Sequence, residues 1–199
     1  MIPIVIPTMP QRTQALRATL RQLSWHLWAL PVISRHVDSR QDVGRALRRA
    51  TEVDSHSLWI IYLEDDIVLS PRFSEVPRIL VDAAADMSIG AICFFRSKDD
   101  LDEGVTRMAA SKMSMSQCTA IRTLDPEQFE QFATDWYARH PQHHHASDLL
   151  LGAWVSHLGQ DMLVHSPSLV QHRRLRSTLG PRARNRQSES FRRAFGEVA

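Results

Sequence analysis

Glu64, Asp65 and Asp66 follow directly on the apolar run Leu58-Trp59-Ile60-Ile61-Tyr62-Leu63. Three successive carboxylates repel one another unless a cation lies between them, and an apolar strand that ends in such a cluster reads as a metal site. Far downstream a single imidazole, His172, closes a second short apolar stretch, Ser166-Pro167-Ser168-Leu169-Val170-Gln171. A carboxylate and an imidazole brought together would hold one divalent ion against a diphosphate.

The elements that must position these groups alternate. Ile2 to Ile6 reads as a strand, Thr13 to Leu23 as a helix with Leu16, Leu20 and Leu23 on one face, and Pro31 to Val37 as a strand. Gln41 to Thr51 and Phe73 to Ala85 continue as helices around the strand Leu58 to Leu63, and Ile89 to Phe95 adds another strand. Such alternation predicts parallel strands joined by crossover helices. Ser97 to Gly104 is charged and turn-rich, and a boundary is expected near residue 97. Beyond it, Met113 to Ile121 reads as a strand, Asp125 as the cap of a helix over Pro126 to Arg139, and Leu149 to Leu158 as a helix preceded by Ser147-Asp148. Met162 to His165 and Ser168 to Gln171 are short extended pieces.

In an open α/β sheet ligands bind beyond the carboxyl ends of the strands, where Glu64, Asp65 and Asp66 lie. The loop Pro7-Thr8-Met9-Pro10-Gln11-Arg12 also leaves such an end and opens a helix, so Thr8, Arg12 and neighbouring amides can meet a nucleotide or diphosphate. Neither G-x-G-x-x-G nor G-x-x-x-x-G-K-[ST] occurs. That counts against dinucleotide oxidoreductases and P-loop enzymes and favours phosphate binding through a metal.

Taken together, the N-terminal Ile-Val-Ile-Pro-Thr, the strand ending in Glu64-Asp65-Asp66, the Asp148 helix and the Pro-Ser-Leu-Val-Gln-His run resemble a small nucleotide-sugar-dependent glycosyltransferase of the GT-A fold. The resemblance implies a Rossmann-like, mostly parallel α/β sheet sandwiched by helices in a single compact domain over residues 1–180. Its nucleotide-binding half would span about 1–96 and its acceptor half about 97–180, with an Arg-rich tail over 181–199. It implies that Glu64-Asp65-Asp66 stands in the place of the family's Asp-x-Asp motif, with Asp66 a ligand of Mn²⁺ or Mg²⁺ and His172 the second protein ligand. Glu64 or Asp65 would lie nearer the ribose or sugar, and Pro7, Thr8, Arg12 and Asp38 would bind the rest of the donor, a UDP-sugar foremost. By the same likeness the enzyme is inverting and Asp148 is the general base, a helix start keeping the carboxylate ionised. Metal with Arg12 or Arg173 would stabilise the departing diphosphate.

Each residue also has a plainer role. Asp65 and Asp66 can form a solvated turn, His172 a hydrogen-bonded surface histidine, and Asp148 an N-cap, which is compatible with catalysis. His140, His143, His144 and His145 are too consecutive to converge on one ion and read as a loop near the acceptor. The tryptophans sit in apolar elements and read as core, although Trp154 can floor an acceptor pocket.

Net charge is +2, but eight of the arginines lie between Arg173 and Arg193. Those nearest His172 can close over the diphosphate, with Ser177 and Gly180 allowing the turn, or the whole run can attract a polyanion such as hydroxymethylated DNA. The rival readings are a nucleotidyltransferase, which also gathers acids around metal, and a non-enzymatic nucleic-acid-binding module. Cys93 and Cys118 lie in apolar stretches and fit buried thiols of the cytoplasm. The apolar opening breaks at Pro7, so neither a signal core nor a membrane span is expected there.

Overall fold

The computed structural model describes residues 1–8, 10–35, 42–97, 102–113, 117–143, 146–173 and 187–196. The first half runs β1 (Ile2–Thr8), α1 (Thr13–Leu23), β2 (Ala29–Arg35), α2 (Asp42–Val53), β3 (Trp59–Leu63), β4 (Ile67–Leu69), α3 (Val76–Ala84) and β5 (Ile89–Cys93). The second half adds β6 (Gly104–Ala109), β7 (Cys118–Arg122), α4 (Pro126–Arg139), α5 (Ser147–His157), β8 (Asp161–Ser166), β9 (Val170–His172) and α6 (Glu189–Phe195). Seven strands form one sheet in the order β2-β1-β3-β7-β5-β8-β6, while β4 and β9 pair separately.

Strands β2, β1, β3, β5 and β8 share one direction; β7, wedged between β3 and β5, and β6, at the edge beside β8, are reversed. The sheet is therefore mostly parallel, as in the GT-A-like α/β architecture, but β7 breaks the simple crossover pattern that helix and strand alternation predicts. Pairing between distant strands leaves no local mark in the sequence, so the reversal could not be read from β7 alone.

Two apolar layers sandwich the sheet because strand residues alternate between its faces. Ile4, Ile6, Ile61, Leu63, Ile92 and Phe94 pack under α1, α3 and the β4-β9 pair. Val5, Ile60, Tyr62, Ala91, Cys93 and Val164 pack under α2, α4 and α5. Cys93 and Cys118 fall in opposite layers and are free thiols. Burial pushes the Cys93 thiol up to about 11, so it is unreactive at neutral pH.

Helix α1 matches its expected bounds, and α4 does too: the Asp125 carboxylate accepts from the amides of Glu127 at 2.9 Å and Gln128 at 3.3 Å. Three elements escaped the sequence pattern. β4 is three residues long, β6 shows only a half-buried alternation at the sheet edge, and α6 lies within the stretch read as a tail. Gln187 to Gly196 is packed rather than trailing: Ser188 caps α6 from the Phe191 amide, and Phe191 is buried. The Gln171 side chain exchanges two bonds with the Ser188 backbone, at 2.9 and 3.0 Å. Arg182, Arg184 and Arg186 lie outside the described residues.

Candidate metal centre

Strand β3 is buried along its whole length, which fixes where its carboxyl end emerges. The chain then turns through Glu64 and Asp65 and resumes as β4, whose antiparallel partner β9 sets Ile67 opposite His172. That register, closed by the Arg173 amide donating to the Asp66 carbonyl at 2.8 Å, brings the distant imidazole to the acidic turn. His172 Nε2 lies 3.2 Å from Asp66 Oδ1 and 3.4 Å from Glu64 Oε2.

Several side chains hold this turn. Thr8 donates to Asp65 Oδ2 at 2.6 Å, and one guanidinium nitrogen of Arg12 bridges Asp65 Oδ1 at 2.8 Å and Asp66 Oδ2 at 2.7 Å. The Thr19 hydroxyl, from α1, reaches the carbonyls of Asp65 at 2.9 Å and Ile67 at 3.2 Å. Asp65 and Asp66 are buried to 3% and 0% exposure, so the solvated-turn reading fails. His172 is 6% exposed, and its Nδ1 lies 2.8 Å from the Arg173 carbonyl. With Nδ1 protonated toward that carbonyl, Nε2 can carry a second proton toward the carboxylates or, without it, turn its lone pair to a cation held between them.

Two of the buried atoms without a hydrogen bond face each other. Asp66 Oδ1 and His172 Nε2 are close enough for an ion pair, yet neither makes a hydrogen bond of acceptable geometry. Burial raises the Asp66 pKa, helped by Glu64 and Asp65 and opposed by His172 and Arg12. Burial acts on His172 in the lowering direction, but the Glu64 and Asp66 carboxylates outweigh it, and its pKa is raised. Both shifts favour proton retention by the metal-free cluster, and a bound cation would compete with that proton.

Glu64, Asp66 and His172 each offer one ligand atom, all within 4.8 Å of one another, and they are the group of three or more such ligands among the described residues. The residues present therefore fit a divalent ion. Two carboxylate oxygens with one imidazole nitrogen suit Mn²⁺ better than Mg²⁺, which prefers oxygen and water.

Of the other residues singled out by sequence, Pro7 lies in β1 opposite Ser34, one residue from Thr8. Arg173 adjoins the centre through its backbone, and its Nε is buried without a hydrogen-bond partner. Asp38 and Ser177 lie outside the described residues, as do His144 and His145. Asp148 is in the first turn of α5 without being its N-cap, which is Ala146; its Oδ1 accepts from the Leu149 amide at 3.0 Å. It belongs to the layer opposite α1, and its charge is felt at Cys93, the end of β5. Trp154 is 3% exposed and wedged edge-on against Phe129 and Phe132, with ring centroids 5.4 and 5.2 Å away, which makes it part of the core. A cleft of about 430 Å³ between α2 and α4, lined by Glu130, Thr134 and Tyr137 among others, lies in that same opposite layer, away from the carboxylates.

Sequence reasoning missed two participants. Thr19 looks like an ordinary helix residue, and only the packing of α1 on β4 shows its bonds to the acidic turn. Gln117 precedes β7, and its carbonyl accepts the Glu64 amide at 2.9 Å. Its side-chain Oε1 is buried without a partner.

No family model matches the chain, and no curated protein matches it in sequence. Solved structures do resemble it. A glycosyltransferase involved in glycosylation of the major capsid of PBCV-1 is 10% identical, with a TM-score of 0.57 over 88% of this chain and 94% of that one. An active-site mutant of LgtC is 9% identical, with a TM-score of 0.51 over 100% of this chain and 98% of the other. At such identities the likeness is one of fold, and the fold is that of glycosyltransferases.

Proposed function

We propose that this chain is a metal-dependent glycosyltransferase that moves a sugar from a nucleoside diphosphate sugar to an acceptor hydroxyl. The observation that carries the reading is the convergence of Glu64, Asp66 and His172 at the carboxyl edge of a sheet shared with glycosyltransferases. Glu64, Asp66 and His172 would hold Mn²⁺ or Mg²⁺, and a bound divalent cation supplies positive charge for the donor diphosphate. Asp65 is committed to Thr8 and Arg12 and holds the turn in shape. Arg12 neutralises the two aspartates, so its first role is to keep the carboxylates close; Arg173, whose amide donates to the Asp66 carbonyl, would be the cation for the departing diphosphate.

Asp148 would take the proton of the acceptor hydroxyl as its oxygen bonds to the anomeric carbon and the bond to the diphosphate breaks, with inversion of configuration. Its place in the first turn of a helix near the end of β5 supports this role. The test is titration of the protein with nucleotide sugars, UDP-sugars first, with and without Mn²⁺, followed by transfer assays. Donor binding that requires Mn²⁺ is the expected result; binding of nucleoside triphosphates in preference to nucleotide sugars would overturn it. Asp148→Asn should leave donor affinity unchanged while slowing transfer by about 10² to 10⁴. A wild-type rate in that variant, or a product with retained anomeric configuration, would remove Asp148 as base.

A further inference from the structure

No aspartate or glutamate occurs before Asp38, whereas Arg12, Arg17, Arg21 and Arg35 all lie in that stretch. Arg12 is spent on the metal centre, but Arg17 and Arg21 stand exposed on the outer side of α1. The helix places them one turn apart, and the next step of the same stripe is Trp25, because residues four apart share a face. Its last turn tightens rather than diverges, with the Ser24 amide bonded to the Leu20 carbonyl and the Trp25 amide to that of Gln22. Trp25 is 84% exposed, and Leu27, in the same turn, is 91% exposed. The turn is rigid beneath them: His26 and Trp28 lie against Phe73, with ring centroids 5.3 and 5.6 Å away.

A large aromatic and a leucine held in water at the tip of a basic stripe have no role inside the fold. We propose that this face, Arg17, Arg21, Trp25 and Leu27, docks on an anionic lipid surface. The indole and leucine would enter the headgroup region while the two arginines meet lipid phosphates. Charge selects this occupant over a neutral apolar one, since the face offers arginines from a stretch without a single acid. Leucine selects it over nucleic acid, because an aromatic can stack on bases but an isolated exposed leucine gains nothing from phosphates. The inference is independent of the glycosyltransferase reading, as it uses none of the metal-centre residues.

The experiment is vesicle co-sedimentation of the intact chain with phosphatidylcholine alone and with phosphatidylcholine containing phosphatidylglycerol. Wild type should partition to the anionic vesicles. Trp25→Ser with Leu27→Ser should reduce that partition by about tenfold or more, and Arg17→Ala with Arg21→Ala by roughly fivefold per arginine, the latter loss vanishing at high salt. In a Leu27→Ser variant, Trp25 should still become shielded from an aqueous quencher on anionic vesicles. All four side chains are exposed, and unchanged thermal melting confirms that the variants fold. Absence of partition, or equal partition of wild type and the Trp25/Leu27 variant, overturns the proposal. So does a concentration-dependent dimer that the Trp25/Leu27 variant abolishes, or duplex-DNA binding that needs the arginines but not Leu27.

Discussion

Asp66 is the residue on which the centre turns, since one of its oxygens is held by Arg12 and the other faces His172 without a hydrogen bond. Asp66→Asn keeps the shape but removes an anionic ligand, and should abolish Mn²⁺ binding in calorimetry while the fold survives; His172→Ala should weaken the same binding. The acid side of the profile follows from His172. Its pKa is raised by the carboxylates against the effect of burial, and an imidazolium cannot ligate. Mn²⁺ affinity should therefore be low below that raised pKa and grow as pH rises through it, with a proton released on binding, measurable as a buffer-dependent heat. His172→Ala should flatten this dependence. Arg12→Ala leaves two buried carboxylates without their shared counter-ion. It should cost about 1–3 kcal/mol in urea unfolding without metal, and Mn²⁺ should restore part of the loss, because a cation can take over the neutralisation.

Two contacts between elements decide whether the site is held together. Gly152 of α5 sits on the turn that follows β6, where a Cβ would come within 2.6 Å of the Ala110 carbonyl and 2.8 Å of the Met113 Cβ. Alanine would gain about 1 kcal/mol of helix propensity at an open position. Here a backbone oxygen stands in the way, and overpacking costs about 1–3 kcal/mol, so Gly152→Ala should destabilise and tilt the helix that carries Asp148. The second contact anchors β9. Gln187 donates to the His172 carbonyl at 2.8 Å, and the Ser188 hydroxyl reaches Ser168 at 2.8 Å and receives the Phe191 amide at 3.3 Å. Ser188→Ala removes a buried cap and should cost about 1–2 kcal/mol. Because the capped segment backs His172, the variant should also bind Mn²⁺ more weakly, which a purely local cap would not cause.

For the whole molecule, the proposed function makes donor and metal one ligand of the native state. Among the described residues no helix is long and apolar enough to cross a membrane. A nucleotide sugar at one hundred times its dissociation constant stabilises the native state by about 2.7 kcal/mol. For a chain of this size that corresponds to a rise of about 5–10 °C in melting midpoint. The rise should need Mn²⁺ and should disappear in Asp66→Asn. A sugar-nucleotide shift of the same size without metal would separate the donor site from the carboxylate cluster.

Local chemistry was legible in the sequence because it is written in neighbouring residues: an apolar run ending in Glu64-Asp65-Asp66, a capping Asp125 before α4, and the spacing of Leu16, Leu20 and Leu23 on α1. The meeting of His172 with Asp66 was anticipated from residue chemistry and the family likeness together. Its cause, the pairing of β4 with β9, was not visible, since a three-residue strand carries too little pattern to be recognised. The reversed β7, the bonds of Thr19 and the burial of Gln117 were equally hidden, because each depends on a partner far away in the chain. Residue order thus determined which groups are capable of the chemistry and which local elements carry them. Only long-range strand pairing and burial decided that Glu64, Asp66 and His172 converge, where removal from water strengthens the interaction of each charge with its neighbours.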